Sequence, residues 1–277
     1  MPGEFSLIFI AKPIAWLVVV VAATLLLRRR QVSTKVRVTF LIGGVLFFGL
    51  LFGQIATEQL DPNPVDFLRN LLHLITGTQQ PRLLPAQQSV AFSGAVMLVL
   101  LLTVGWVSNK SICGWACQLG LLQDLLHRAP LRKWRPPFWL TNSIRGVAFA
   151  GLLSGLLVAG LDWIGWINPF QIFRIEFTWA IGIFAALLLI ASLFIYRPWC
   201  QFLCPFGFVS WVVEQFSLLR PRINWELCKK CELCVKACPT RAMADFYSGK
   251  KIHTDCFACG DCLTTCPQKE ALRWQKS

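Results

Sequence analysis

Eight of the 12 cysteines fall in two copies of one spacing, Cys228-x-x-Cys231-x-x-Cys234-x-x-x-Cys238-Pro239 and Cys256-x-x-Cys259-x-x-Cys262-x-x-x-Cys266-Pro267. Closely spaced thiolates wrap one corner of a cubane, and the cysteine before the proline is carried across to the neighbouring cluster. The spacing therefore predicts two 4Fe–4S clusters with exchanged ligands. One is expected on Cys228, Cys231, Cys234 and Cys266, the other on Cys256, Cys259, Cys262 and Cys238. Ala258 and Gly260 are small where backbone amides must come close to sulfur. Zinc sites pair C-x-x-C units across longer loops rather than using triple runs that end in Cys-Pro. One cluster would suffice to staple a small domain, so two linked clusters point to conduction of electrons.

The other four cysteines form a second pattern, Cys113-x-x-x-Cys117 and Cys200-x-x-x-Cys204. On a helix the two members of each pair face the same way. If the two motifs pack about a common axis, four thiols converge, and soft ligands of that kind select an Fe–S cluster, zinc or Cu(I). Two other readings stand beside a third thiolate-ligated centre. Small apolar cysteines pack well between helices, and a thiol/disulfide pair can cycle with electron flow.

The elements that must position these residues are apolar. Hydrophobic residues make up 55% of the 277 and charged residues 15%, against roughly 25% charged in globular chains. Five runs are long enough for helices crossing a bilayer: Phe5–Leu27, Val38–Ala56, Ser89–Val107, Gly146–Ile164 and Thr178–Tyr196. The first is not a secretory signal, because its basic cluster follows the apolar stretch. All Lys and Arg except Lys12, Arg69, Arg82 and Arg174 lie in segments 28–37, 108–145 and 197–277. By the positive-inside bias those segments face the cytoplasm and the N-terminus lies outside. The same distribution assigns the net charge of +13 to topology and the lipid bilayer, not to nucleic acid.

The expected architecture is an α-helical integral membrane protein of about five spans with a C-terminal α+β two-cluster ferredoxin domain. Residues 1–197 form the transmembrane part with both C-x-x-x-C motifs, and residues 198–277 the cytoplasmic part. A parallel internal repeat is visible. Each C-x-x-x-C follows a span, precedes an amphipathic surface stretch (Leu121–His127, Phe208–Leu219), and is matched on the outer side by Asn63-Pro64-x-x-Phe67-Leu68-Arg69 or Asn168-Pro169-x-x-Ile172-Phe173-Arg174.

Histidine is scarce. His73, His127 and His253 all lie outside the runs, which argues against a bis-histidine haem within the membrane. His73, on the outer side with Glu58, Asp61 and Asp66, is a weak candidate proton acceptor, and a solvated loop histidine accounts for it better. Asp162, at the outer end of the fourth run, is the second candidate catalytic residue, since acids near membrane depth are often functional. There is no P-loop, dinucleotide fingerprint or nucleophile elbow.

The C-x-x-x-C motifs after spans, the Trp166-Ile-Asn-Pro169 string and the tandem cysteine runs resemble the NapH-type membrane ferredoxins, with NosR and the oxidase assembly protein CcoG as relatives. The resemblance covers residues 38–277. It implies a quinol dehydrogenase component in a bacterial inner membrane, taking electrons from quinol and passing them to a partner ferredoxin, cytochrome or reductase subunit. A CcoG-like maturation factor and a redox-sensing membrane regulator are the alternatives it carries. The sequence departs from the family pattern in two ways. Gln118 stands where C-x-x-x-C-P has proline, and there is an extra N-terminal span.

Overall fold

A computed structural model describes residues 4–52, 64–76, 85–173 and 178–276. Among these the chain is mostly helical, and helices stand at all five apolar runs. Three are long and apolar enough to cross a membrane, within Ala11–Arg28, Thr34–Leu51 and Phe138–Ala159, whereas Gly94–Ser108 and Trp179–Phe194 are shorter apolar segments.

Helix α1 (Glu4–Arg28) turns through a short loop into α2 (Thr34–Gly44), which continues as a π-helical turn, Val45–Leu51. Ser33 starts α2 by accepting the Val36 amide at 3.3 Å, the usual way to satisfy an orphan N–H at a helix start. Helices α3 (Pro64–Thr76) and α4 (Pro85–Ser108) pack against each other. Then come α5 (Ser111–Trp115), α6 (Gln118–His127) and α7 (Phe138–Ser154), whose last turn, Gly155–Ala159, is again π-helical. The short helix α8 (Trp163–Trp166) precedes α9 (Trp179–Phe194), a π-helical turn at Trp199–Leu203, and α10 (Pro205–Glu214).

Helix α9 shows why these segments form a bundle with an apolar exterior. Ile181, Ala185, Leu188 and Ser192 point inward, while Ile183, Leu187, Ile190 and Phe194 are exposed. A helix apolar on both faces belongs in a medium that is itself apolar.

The C-terminal unit is closed by β1 (Leu219–Ile223) and β2 (Leu272–Lys276), paired antiparallel with Pro221 opposite Trp274. Between them lie both cysteine runs and the short helices α11 (Leu233–Ala237), α12 (Ala242–Tyr247) and α13 (Asp261–Thr265). Its small core of Met243, Ala258, Leu263, Leu272 and Trp274 is continuous with Ala23, Leu27 and Val32 at the end of α1. Arg30 binds it further, donating to the carbonyls of Leu263, Cys266, Gln268 and Lys269.

Two expectations change here. The stretch Leu121–His127 is more buried than a surface helix, with Leu121, Gln123 and Asp124 inside, whereas Phe208–Leu219 buries Ser210, Glu214 and Ser217 and leaves Val212 and Phe216 exposed. Each follows a buried motif inward, so one side of it meets protein. The fourth apolar run is also shifted. Its helix starts at Phe138, after Pro136-Pro137, and its π turn ends at the left-handed Gly160, so Asp162 lies beyond it.

Candidate metal centres

The two long cysteine runs adopt the same backbone path. In each, the residues flanking the second cysteine have positive φ: Lys230 (54°) and Glu232 (55°) around Cys231, Ala258 (51°) and Gly260 (83°) around Cys259. Successive right- and left-handed residues turn N–H groups into one concavity, the backbone form found around anions and Fe–S centres. Lysine and glutamate do not adopt this conformation cheaply, so it marks a loop shaped for a ligand.

Cys238, Cys256, Cys259 and Cys262 line one cavity together with Phe257, although Cys238 is separated from the others by α12. Cys234 is pushed up to about 11 by burial and then by Cys266, with Cys228 contributing in the same sense. The Cys238 sulfur accepts the Met243 amide at 3.4 Å.

The C-x-x-x-C motifs differ from the expected continuous helix. Helix α5 ends at Trp115, and Cys117 is the N-cap of α6; Cys200 sits in the π turn, and Cys204 is the N-cap of α10. The Cys204 sulfur accepts the Gly207 amide at 3.2 Å, and Pro205 takes the first helical position, where its missing N–H costs nothing. The four thiols are buried and mutually close. Burial raises Cys113, and Cys117 and Cys200 raise it further; Cys204 is pushed up to about 12 by burial and then by Cys113.

Buried cations surround this core. Lys110 and Arg197 each lie three residues before a motif's first cysteine and reach across to the other motif. Lys110 donates to the Gly207 carbonyl at 2.8 Å, and Arg197 donates to the Cys113 carbonyl. Arg145 holds the Cys200 carbonyl at 3.1 Å and Arg37 the Gly114 carbonyl at 2.8 Å. Asp124 compensates Arg37 (2.7 Å) and Arg197 (2.9 Å), and Asp255 compensates Lys110 and Arg145. Glycines at matching places allow the close approach. A Cβ on Gly120 or Gly207 would lie 2.7 Å from the carbonyl oxygen of Cys113 or Cys200.

Asp255, next to Cys256, belongs to the C-terminal unit, so the two cysteine systems share this charge network. They also touch directly. The Trp115 indole donates to the Ala258 carbonyl at 2.8 Å, Lys110 N–H donates to the Cys256 carbonyl at 3.2 Å, and Gly114 packs on the Phe257 carbonyl. Burial pushes Glu214 well above the ordinary carboxyl range against the opposing charge of Lys110. Glu214 Oε1 accepts the Cys256 amide at 3.1 Å.

The outer candidates meet as well. His73, on α3 rather than in a loop, places Nε2 3.1 Å from Asp162 Oδ2. Arg69 Nε donates to the same oxygen at 2.6 Å and Arg69 Nη1 to Asp66 at 2.6 Å. Asp162 Oδ1 also caps α8 through the Gly165 amide at 3.1 Å. Glu58 and Asp61 lie outside the described residues.

A helical bundle with a two-stranded, cysteine-bound unit of this form defines an iron–sulfur electron carrier of the ferredoxin type. Comparison with known proteins agrees. A family model described as a 4Fe–4S binding domain matches residues 90–137 and again 177–226, and a second of the same description matches residues 221–244. The chain is 29% identical over 226 residues to YccM of Escherichia coli, which is named for electron transport, covering 76% of this chain and 61% of YccM. It is 25% identical to the regulatory protein NosR of Stutzerimonas stutzeri (55% of this chain, 23% of NosR). It is 28% identical to the methylamine utilization ferredoxin-type protein MauN of Methylorubrum extorquens (54% and 53%). The chain thus spans less than two thirds of each of these relatives. No solved structure matches it. These matches give the chain 4Fe–4S binding domains and make it similar to YccM, NosR and MauN, consistent with the NapH- and NosR-type resemblance.

Proposed function

We propose that the chain is a multi-pass membrane subunit that passes electrons between the quinol pool and a redox partner. The observation that carries this reading is the direct seating of the Cys256–Cys262 loop on the C-x-x-x-C core through Trp115, Gly114 and Lys110. It supports one continuous path from the bundle to the C-terminal unit.

In this reading Cys256, Cys259, Cys262 and Cys238 hold one cluster and Cys228, Cys231, Cys234 and Cys266 the other; the cavity shared by the first four supports the exchange. Bound clusters supply one-electron relay chemistry. Cys113, Cys117, Cys200 and Cys204 hold a third centre, supported by the family match over each motif. The double family match and the reciprocal Lys110 and Arg197 contacts support the parallel repeat; the five spans, the boundary near residue 197 and the cytoplasmic C-terminal unit rest on the apolar runs and the positive-inside distribution of Lys and Arg.

Quinol oxidation releases two electrons and two protons. His73 and Asp162, joined by a hydrogen bond and oriented by Arg69, are placed to take the protons on the outer side. The test is anaerobic purification followed by addition of a reduced quinol analogue, with cluster absorbance as the readout. Bleaching is expected, slowed at least about tenfold by Asp162→Asn. Clusters that bleach with dithionite but never with quinol would sink the quinol link.

A further inference from the structure

The proposed path ends at the surface. Of the 12 cysteines, Cys231 is the exposed one. Lys229 and Lys230 precede it and Glu232 follows, and Trp225, Leu227 and Leu233 lie near it in sequence about half exposed, at 48%, 49% and 41%. Three apolar side chains standing in water beside a cluster loop are unusual for a surface that meets only solvent.

Beside them opens a cleft of about 420 Å³, with Trp225 in its wall. Arg220 and Arg222, two residues apart on β1, line it from one side, and Lys250 and Lys251 from another. None of its lining residues is acidic. Asp245, the nearest acid on α12, is bonded to Thr254 and to Lys250 at 2.9 Å. Glu226 and Glu232 are exposed on the cysteine loop itself, so the positive field is concentrated in the cleft rather than spread over the whole face.

We propose that this face is the docking surface for an acidic one-electron carrier protein, whose carboxylates enter the Arg220–Lys251 cleft while its redox group comes to rest over Cys231 and Trp225. The proposal rests on the electron-carrier reading above. Small apolar contacts ringed by complementary charge suit transient redox encounters, which bury little area and are steered by the field. Placing the exposed cluster loop beside the charged cleft sets the shortest route for the electron wherever the acidic partner is steered.

The test uses the purified, fully loaded protein, reduced with dithionite and freed of excess reductant, as donor to two acceptors with the same haem. One is basic native cytochrome c and the other is cytochrome c made acidic by succinylation of its lysines. Each transfer moves one electron from the cluster to ferric haem, which becomes ferrous. At low ionic strength the acidic form is expected to be reduced at least about tenfold faster than the basic form, with the advantage fading as salt rises. The double change Lys250→Glu with Lys251→Glu should abolish that advantage, and Lys250→Gln with Lys251→Gln should halve it or more, with iron content unchanged because both residues are exposed. The proposal is overturned if the basic form is faster at low salt. It is equally overturned if the double variants keep the parent ratio, or lose only binding to vesicles of anionic phospholipid. Reduction of neither form by loaded, reduced protein would instead remove the carrier reading, and the docking surface with it.

Discussion

Lys110 and Arg197 occupy the same place before the two C-x-x-x-C motifs, and each is buried against the other motif's backbone, Lys110 at the Gly207 carbonyl and Arg197 at the Cys113 carbonyl. Neither motif is held by its own cation. The thiol core exists only when both halves of the bundle are in register.

Replacing Arg197 by Gln should therefore disturb a site 84 residues away in sequence. The change leaves the Cys113 carbonyl short of a donor and leaves buried Asp124 to Arg37 and Arg128. Removing one partner of a buried ion pair costs roughly 3–5 kcal/mol. The expected result is a lower unfolding midpoint in detergent and loss of any signal assigned to the Cys113–Cys204 centre, with the two ferredoxin-type clusters retained. An unchanged midpoint would show that the cation is not structural.

Gly114→Ala tests the seam between the two cysteine systems. A Cβ there would overlap the Phe257 carbonyl oxygen, a backbone atom that cannot rotate aside. The variant should keep its cluster iron but expose the seam to protease, and electron entry from the bundle side should slow at least about tenfold. Parent-like proteolysis would mean that the contact is loose.

Cys238→Ser should remove the cluster shared with Cys256, Cys259 and Cys262, not the one nearer in sequence. The measurement is iron content with spectra of the two clusters resolved by potential. Loss of the Cys228 cluster would reverse the assignment.

Acid should weaken the fold through its histidines. Burial, followed by the charge of Lys133, pushes His127 down to about 4 from 6.5, and burial lowers His253 as well, against the opposing Thr254 carbonyl. Each ring binds a proton less readily in the fold than in the unfolded chain, so the unfolded chain takes up more protons as the solution turns acid. Their contribution is fully present above pH 6.5 and is lost as pH falls toward the folded value. Unfolding midpoints at about pH 7.5 and 5 should differ, and His127→Gln should narrow the difference. A gap of parent size in that variant would assign the acid sensitivity to other groups.

The sequence made some of this arrangement legible and hid the rest for physical reasons. Cysteine spacing is local, so the loops around Cys231 and Cys259, and the small residues at 258 and 260, could be read directly. The apolar runs placed the helices. Lys110, Arg197, Arg145 and Arg37 were read only as flanking positive charge, because a basic residue after a span looks the same whether it faces lipid headgroups or a carbonyl inside. Their signal was present in the shared offset of Lys110 and Arg197 from Cys113 and Cys200. The hydrogen bond from His73 to Asp162 joins positions 89 apart, and no periodicity reports such a pair. The break at Ala116 was missed because Gln118, unlike Pro205, does not announce a new helix.

Arg30 carries a consequence for how the molecule is made. It lies between the first two helices, yet its guanidinium is seated among carbonyls at Leu263, Cys266, Gln268 and Lys269. A ribosome delivers Arg30 well before Cys266. The turn that carries Cys266 can settle on Arg30 only after the helices between them have been synthesised. One arginine thus ties the loop after the first helix to the turn that carries Cys266, a contact that spans most of the described chain.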